Sequence, residues 1–182
     1  MYLHHHYLLL PITALALSSC ATQEQHSPMA HAKLQAAESQ TASGMVMFHQ
    51  MDGHLMVHAK VTGLTPNSEH GFHIHDNGDC SKADFTSAGG HFNPSQQAHG
   101  MQEGEHHVGD MPNLTADKMG NVNAKFMLHT ASLTPDALNN VMGRAVIIHA
   151  NPDDFKSQPA GNSGPRIACG VIVEKKMHSG PD

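Results

Sequence analysis

Two histidines separated by one residue, His73 and His75, lie in the segment His70-Gly71-Phe72-His73-Ile74-His75. Side chains alternate between the faces of a β-strand, so on a strand both imidazoles point the same way. His91, His99 and His107 follow, then Asp110, in a stretch full of Gly, Pro, Asn and Ser. No single strand or helix would carry them all, so any joint chemistry requires them to converge in space. Imidazoles gathered with a carboxylate form a donor set for a borderline transition metal.

The elements that must position them are short strands. Aromatic residues are few, tryptophan is absent, and Gly and Pro are frequent, a balance that favours strands and turns over long helices. The pattern predicts structure from about Lys33 and a hairpin of Gly44 to Gln50 with His54 to Val61, turning at Asp52-Gly53. Val46, Phe48, Leu55, Val57, Ala59 and Val61 should face the core. The other face then sets Met51 opposite His54, His49 opposite Met56 and Met47 opposite His58. Thioether and imidazole suit copper, above all the reduced ion; an association surface or a tolerant exposed face would carry the same pattern. Further strands are expected at Glu69 to His75, Asn113 to Asp117, Asn121 to His129, Arg144 to Ala150 and Arg166 to Lys175, with a short helical turn within Leu133 to Met142. Asp76 to Gly109 and Asn151 to Pro165 are long loops, and loops of that length inside a compact domain are normally functional.

The chain's 182 residues suit one folded domain. Its formal charge of −6 with only 10 basic residues argues against nucleic acid as a partner. Tyr7 to Leu17 is a short apolar run of the export-signal kind, and Leu17-Ser18-Ser19-Cys20 resembles a bacterial lipoprotein cleavage box with Cys20 carrying the lipid. The n-region departs from that pattern in offering His4, His5 and His6 but no Lys or Arg. The expected organisation is a signal peptide over 1–19, a flexible tether over 20–32 and a folded domain over 33–182. His26, Met29 and His31 fall in the tether. Such a protein would sit in the periplasm or cell envelope, membrane-bound through its lipid only. Disulfides persist in that compartment, and with Cys20 lipidated, Cys80 and Cys169 are the candidates for a pair.

The ordered blocks His70-Gly71-Phe72-His73-Ile74-His75, Gly89-Gly90-His91-Phe92-Asn93-Pro94, His99-Gly100, His107-Val108-Gly109-Asp110, Val146-Ile147-Ile148-His149-Ala150 and Gly161-Asn162-Ser163-Gly164-Pro165-Arg166-Ile167-Ala168-Cys169-Gly170 resemble those of bacterial copper/zinc superoxide dismutases. The resemblance implies an all-β, eight-stranded antiparallel Greek-key barrel with two long functional loops. It implies copper on His73, His75, His91 and His149, and zinc on His91, His99, His107 and Asp110, with His91 shared. It also implies a Cys80–Cys169 disulfide, and a carboxylate at Asp153 that orients one ligand of each metal. Arg166 would hold the superoxide anion beside the metal, and His91 would help supply a proton to the departing peroxide. His70 matches a structural position, and His106 an exposed neighbour of the ligand His107. The resemblance is compatible with a homodimer.

An anionic substrate and an acidic protein require a local positive field. The loop from Asn151 to Pro165 holds Lys156 as its only base, and the enlarged Cys80 to His91 loop holds Lys82. These two lysines are the candidates for steering. The rival reading from another class is a barrel that binds metal without turning over, whose mark would be a missing copper ligand or the loss of Arg166. Both positions are filled.

Overall fold

Within a computed structural model, residues 27–176 are described. The apolar leader, Cys20 and His26 lie outside them. Nine strands follow in order: β1 Met29–Ala36, β2 Ser43–Met51, β3 His54–Thr62, β4 Glu69–His70, β5 Phe72–His75, β6 Leu114–Thr115, β7 Val122–Leu128, β8 Ala145–His149 and β9 Arg166–Glu174. Seven of them form one curled antiparallel sheet in the order β5-β8-β9-β1-β2-β3-β7, and β4 pairs with β6. β4 and β5 are separated only by Gly71. Counted as one interrupted strand, they give the eight strands expected of a Greek-key barrel.

The β2–β3 hairpin forms in the expected register, with Met47 opposite His58, His49 opposite Met56 and Met51 opposite His54. Gly53 takes φ +76° at the turn, a left-handed conformation that favours residues without a Cβ. Val46, Phe48, Leu55, Val57, Ala59 and Val61 are all buried, so the period-2 alternation does select the core face. Fully burying a side chain such as Phe48 or Leu55 contributes roughly 1.5–3 kcal/mol.

Two expectations are corrected. The first strand begins at Met29, not near Lys33, so Met29 and His31 are ordered members of β1 and not of a tether. The buried face of β1 is Ala30, Ala32 and Leu34, and alanine is too weakly apolar to make the alternation stand out. No helix forms over Leu133 to Met142. That segment is a set of turns closed by a bridge between Ser132 and Asn140. Leu133 and Val141 are buried there while Leu138 is exposed, and Asp136 takes φ +60°, which breaks a helical run.

β5 and β8 are buried along their whole length. Phe72 and Ile74 of β5 face the main core, which leaves His73 and His75 on the opposite side, beneath the loops. On β8, Val146 and Ile148 join the main core, while Ala145 and Ile147 join a smaller cluster with Phe85, Ala88 and Cys169. That second cluster seats the loop after β5 against the sheet. A disulfide between Cys80 and Cys169 pins the same loop to β9, with Cα atoms 5.9 Å apart.

Candidate metal centre

Strand β5 supplies His73 and His75, and the end of β8 supplies His149. The loop between β5 and β6 supplies His91, His99, His107 and Asp110. All seven are buried. Their donor atoms fall into two groups: His73, His75, His91 and His149 in one, and His91, His99, His107 and Asp110 in the other. Within each group the atoms lie no more than 4.8 Å apart, and His91 belongs to both. These are the two groupings that the family resemblance implies.

What orients each imidazole is the bond made by its other nitrogen. His73 Nε2 donates to Asp153 Oδ2 at 2.7 Å. His75 Nδ1 donates to the Gly89 carbonyl at 2.9 Å, and His149 Nδ1 to the Gly164 carbonyl at 3.0 Å. His91 Nδ1 lies 2.7 Å from Asp110 Oδ1. The nitrogens left over converge: His149 Nε2 and His75 Nε2 are 3.4 Å apart, and the buried His73 Nδ1 and His91 Nε2 have no hydrogen-bond partner among the described residues. Unpaired buried polar atoms are costly and rare, and four imidazole nitrogens facing one point suit a copper ion in either oxidation state.

The second group is more polar. Asp110 approaches His99 Nδ1 at 3.0 Å and His107 Nδ1 at 3.2 Å, and His107 Nδ1 lies 3.4 Å from His91 Nδ1. A tetrahedral ion with bonds of about 2.0–2.1 Å spaces its ligands by about 3.3 Å. Three imidazoles and one carboxylate at such separations fit a closed zinc site.

The electrostatics divide the same way. Burial pushes His91 down to about 4 and His149 down to about 3, and it lowers His73 and His75 as well. These rings are therefore neutral, as ligands must be. Burial also opposes charge on His99, but its hydrogen bonds with Asp110 and Asp153 prevail and raise it to about 9. Burial would raise Asp110, yet hydrogen bonds from His107, His91 and His99 hold it far below the usual carboxylate range. Asp153 is depressed likewise by His73 and His99.

Asp153 joins the two groups. Its Oδ2 takes His73 Nε2–H, while its Oδ1 takes His99 Nε2–H at 2.9 Å and the Phe155 amide at 2.6 Å. Two side-chain amides that sequence reading missed hold this bridge. Asn113 donates to the Asp153 carbonyl and accepts its N–H, both at 2.9 Å. Gln158 does the same for the backbone of His99, also at 2.9 Å in both directions. Amides are common in loops, so no local signal marked these two. Gly161 was missed as a site residue too. It adopts φ +63°, and a Cβ there would collide with the Asp153 carboxylate and His99 Nε2.

Arg166, at the start of β9, shares a cleft of about 430 Å³ with His75, His91, His149 and Asn93. Its guanidinium donates to the Phe85 and Gly89 carbonyls, so the charge is held at the cleft and not free to swing. Lys82 and Lys156 are exposed and do not line this cleft. His70 is a buried structural histidine, donating to the His149 carbonyl at 2.8 Å. His106 stays out of the zinc group, within reach of the Gly104 carbonyl and Thr130 Oγ1.

Residues 42–172 match the family described as Copper/zinc superoxide dismutase (SODC). The chain belongs to this family. Among curated proteins, Superoxide dismutase [Cu-Zn] 2 of Aquifex aeolicus is 42% identical over 147 residues, covering 79% of this chain and 85% of that protein. The Superoxide dismutase-like protein YojM of Bacillus subtilis is 32% identical over 190 residues, covering 94% and 97%. Among solved structures, a SOD-like protein from Bacillus subtilis superposes with TM-score 0.70 at 37% identity, covering 77% of this chain and 95% of that one. A double mutant of it, with a tyrosine and a proline replaced by histidine, gives TM-score 0.72 at 38% identity, covering 79% and 96%. Copper/zinc superoxide dismutases are oxidoreductases, and the two ligand groups match the two metals of the family name in donor chemistry.

Proposed function

We propose that the protein dismutates superoxide with copper held by His73, His75, His91 and His149, and with zinc held by His91, His99, His107 and Asp110. The observation that carries this reading is the convergence of four imidazole nitrogens, three of them from rings that line one cleft with Arg166. Copper, when bound, supplies the one-electron chemistry, taking an electron from one superoxide and giving one to a second, while zinc is redox-silent. The protein's residues do the rest. Arg166 offers a fixed cation and several donors to a small anion. His91, its Nδ1 turned to Asp110, can hold a proton at Nε2 and pass it to peroxide. Asp110, Asp153 and the two amide clamps keep the long loops in register.

The setting proposed is the cell envelope. The Cys80–Cys169 disulfide and the Leu17-Ser18-Ser19-Cys20 box support it, because oxidising compartments preserve such bonds. A Cys20→Ala variant should then leave the membrane fraction; a variant that sediments with membranes as before would contradict the anchor.

The direct test is His75→Ala. Metal analysis should show copper lost and zinc largely kept, with superoxide dismutation abolished. Full activity with copper bound would refute the ligand assignment.

A further inference from the structure

A second set of side chains with metal-donor atoms lies on strands β1 to β3, on the face turned away from the core. β1 pairs with β2 so that His31 faces Met47 and Met29 faces His49. β2 pairs with β3 so that Met47 also faces His58, and His49 also faces Met56. β7 adds Met127 next to Met56. Within each of the first three strands a Met and a His stand two residues apart, hence on one face. The result is a checkerboard in which each of these histidines has a methionine across the ladder and another two residues along its own strand.

The face is the one turned away from Ala30, Val46, Phe48 and Val57, which are buried in the core. It is grooved: Met29, Met47, His49, Met56 and His58 border a depression of about 310 Å³. Directly opposite residues have Cβ atoms about 4.5–5.5 Å apart, and methionine has three rotatable bonds with which to close the gap. One nitrogen of His58 is already committed, Nε2 lying 2.7 Å from Asn123 Oδ1. As the amide oxygen can only accept, Nε2 carries the proton and Nδ1 is left with a lone pair. His31 Nδ1, at the edge of the same array, is buried without a hydrogen-bond partner among the described residues.

We propose that Met47, His49, Met56 and His58 form a site for a soft monovalent d10 cation, Cu(I) or its analogue Ag(I). Thioether and neutral imidazole donors select such ions. Among the described residues no carboxylate borders the groove, and Lys125 and Lys175 do. A harder divalent ion would meet twice the repulsion from those lysines and none of the oxygen donors it prefers. The methionine positions themselves argue for a use. Strands favour β-branched and aromatic residues, whereas this face carries Met29, Met47, Met56 and Met127.

The protein, already loaded with copper and zinc so that the buried groups are occupied, is titrated with Ag(I), which undergoes no redox step. One further equivalent should bind. The ε-methyl resonances of Met47 and Met56 should move, while those of Met101 and Met119, exposed elsewhere, stay in place. Replacing both Met47 and Met56 with Leu keeps side-chain volume and should weaken that equivalent at least 10-fold, with dismutase activity unchanged. His49→Gln, an exposed change that leaves the sheet intact, should weaken it as well. Competition against a Cu(I)-specific chelator should repeat the ranking. Absence of a further equivalent, retention of it in the double variant, or equal shifts at Met101 and Met119 would overturn the proposal.

Discussion

Asp153→Asn should separate the two metals, because the two oxygens of Asp153 are not equivalent. Oδ1 receives two N–H donors, from His99 and from Phe155, whereas Oδ2 receives one, from His73. An asparagine has a single acceptor oxygen, and it will settle where two donors wait. Its NH2 group then faces His73 Nε2 across the former 2.7 Å contact. Two donors cannot share that distance, so His73 either turns away or moves its proton to Nδ1, the atom needed for copper. Loss of a hydrogen bond to a charged acceptor is worth about 1.5–3 kcal/mol, and at ~1.4 kcal/mol per decade that is roughly 10–100-fold in affinity. Copper affinity and dismutase activity should fall by that factor while zinc affinity changes by less than about threefold. Competitive chelator titrations of each metal, with a thermal melt of the metal-free variant as a folding control, measure this. A folded variant that loses zinc and keeps copper, or that keeps both, would refute the reasoning.

The metal-free protein should be most stable near pH 6.5. His91 and His149 take up protons more readily when unfolded, so stability falls as pH drops from 6.5 toward 4, by up to ~1.4 kcal/mol per unit for each. His99, raised to about 9, holds its proton better when folded, so its contribution fades as pH climbs from 6.5 through 9. A flat urea midpoint across pH 5 to 8.5 in chelator would contradict both shifts. Asp84 borders the outer pocket with Arg166, so Asp84→Asn should raise kcat/KM at low ionic strength, and Lys82→Ala should lower its salt dependence; salt slopes equal to that of the unaltered protein would remove both from steering. Cys80→Ser opens a link spanning 89 residues, and urea unfolding should show a loss of about 4–5 kcal/mol before native strain is subtracted.

Residue type marks His73, His75, His91, His99, His107 and Asp110 as donors that have to converge, whereas His149 is marked only by the family resemblance. The hairpin was equally legible, since Asp52-Gly53 sets a register that the alternation on both sides supports. The start of β1 was not, because Ala30 and Ala32 carry little apolar signal. Asn113, Gln158 and Gly161 were hidden for another reason. The two amides act across 40 and 59 residues of chain and Gly161 lies 62 residues from His99, and nothing local distinguishes a loop amide that clamps a backbone from one that meets water.

The Gly89 carbonyl accepts from two partners at once, His75 Nδ1 and the Arg166 guanidinium. One peptide oxygen therefore ties the proposed copper ligand His75 to the residue that would receive the anion. A displacement of that peptide cannot impair one task and leave the other untouched. Substitutions that displace the Gly89 peptide itself should accordingly fall along a single line when metal retention is plotted against turnover.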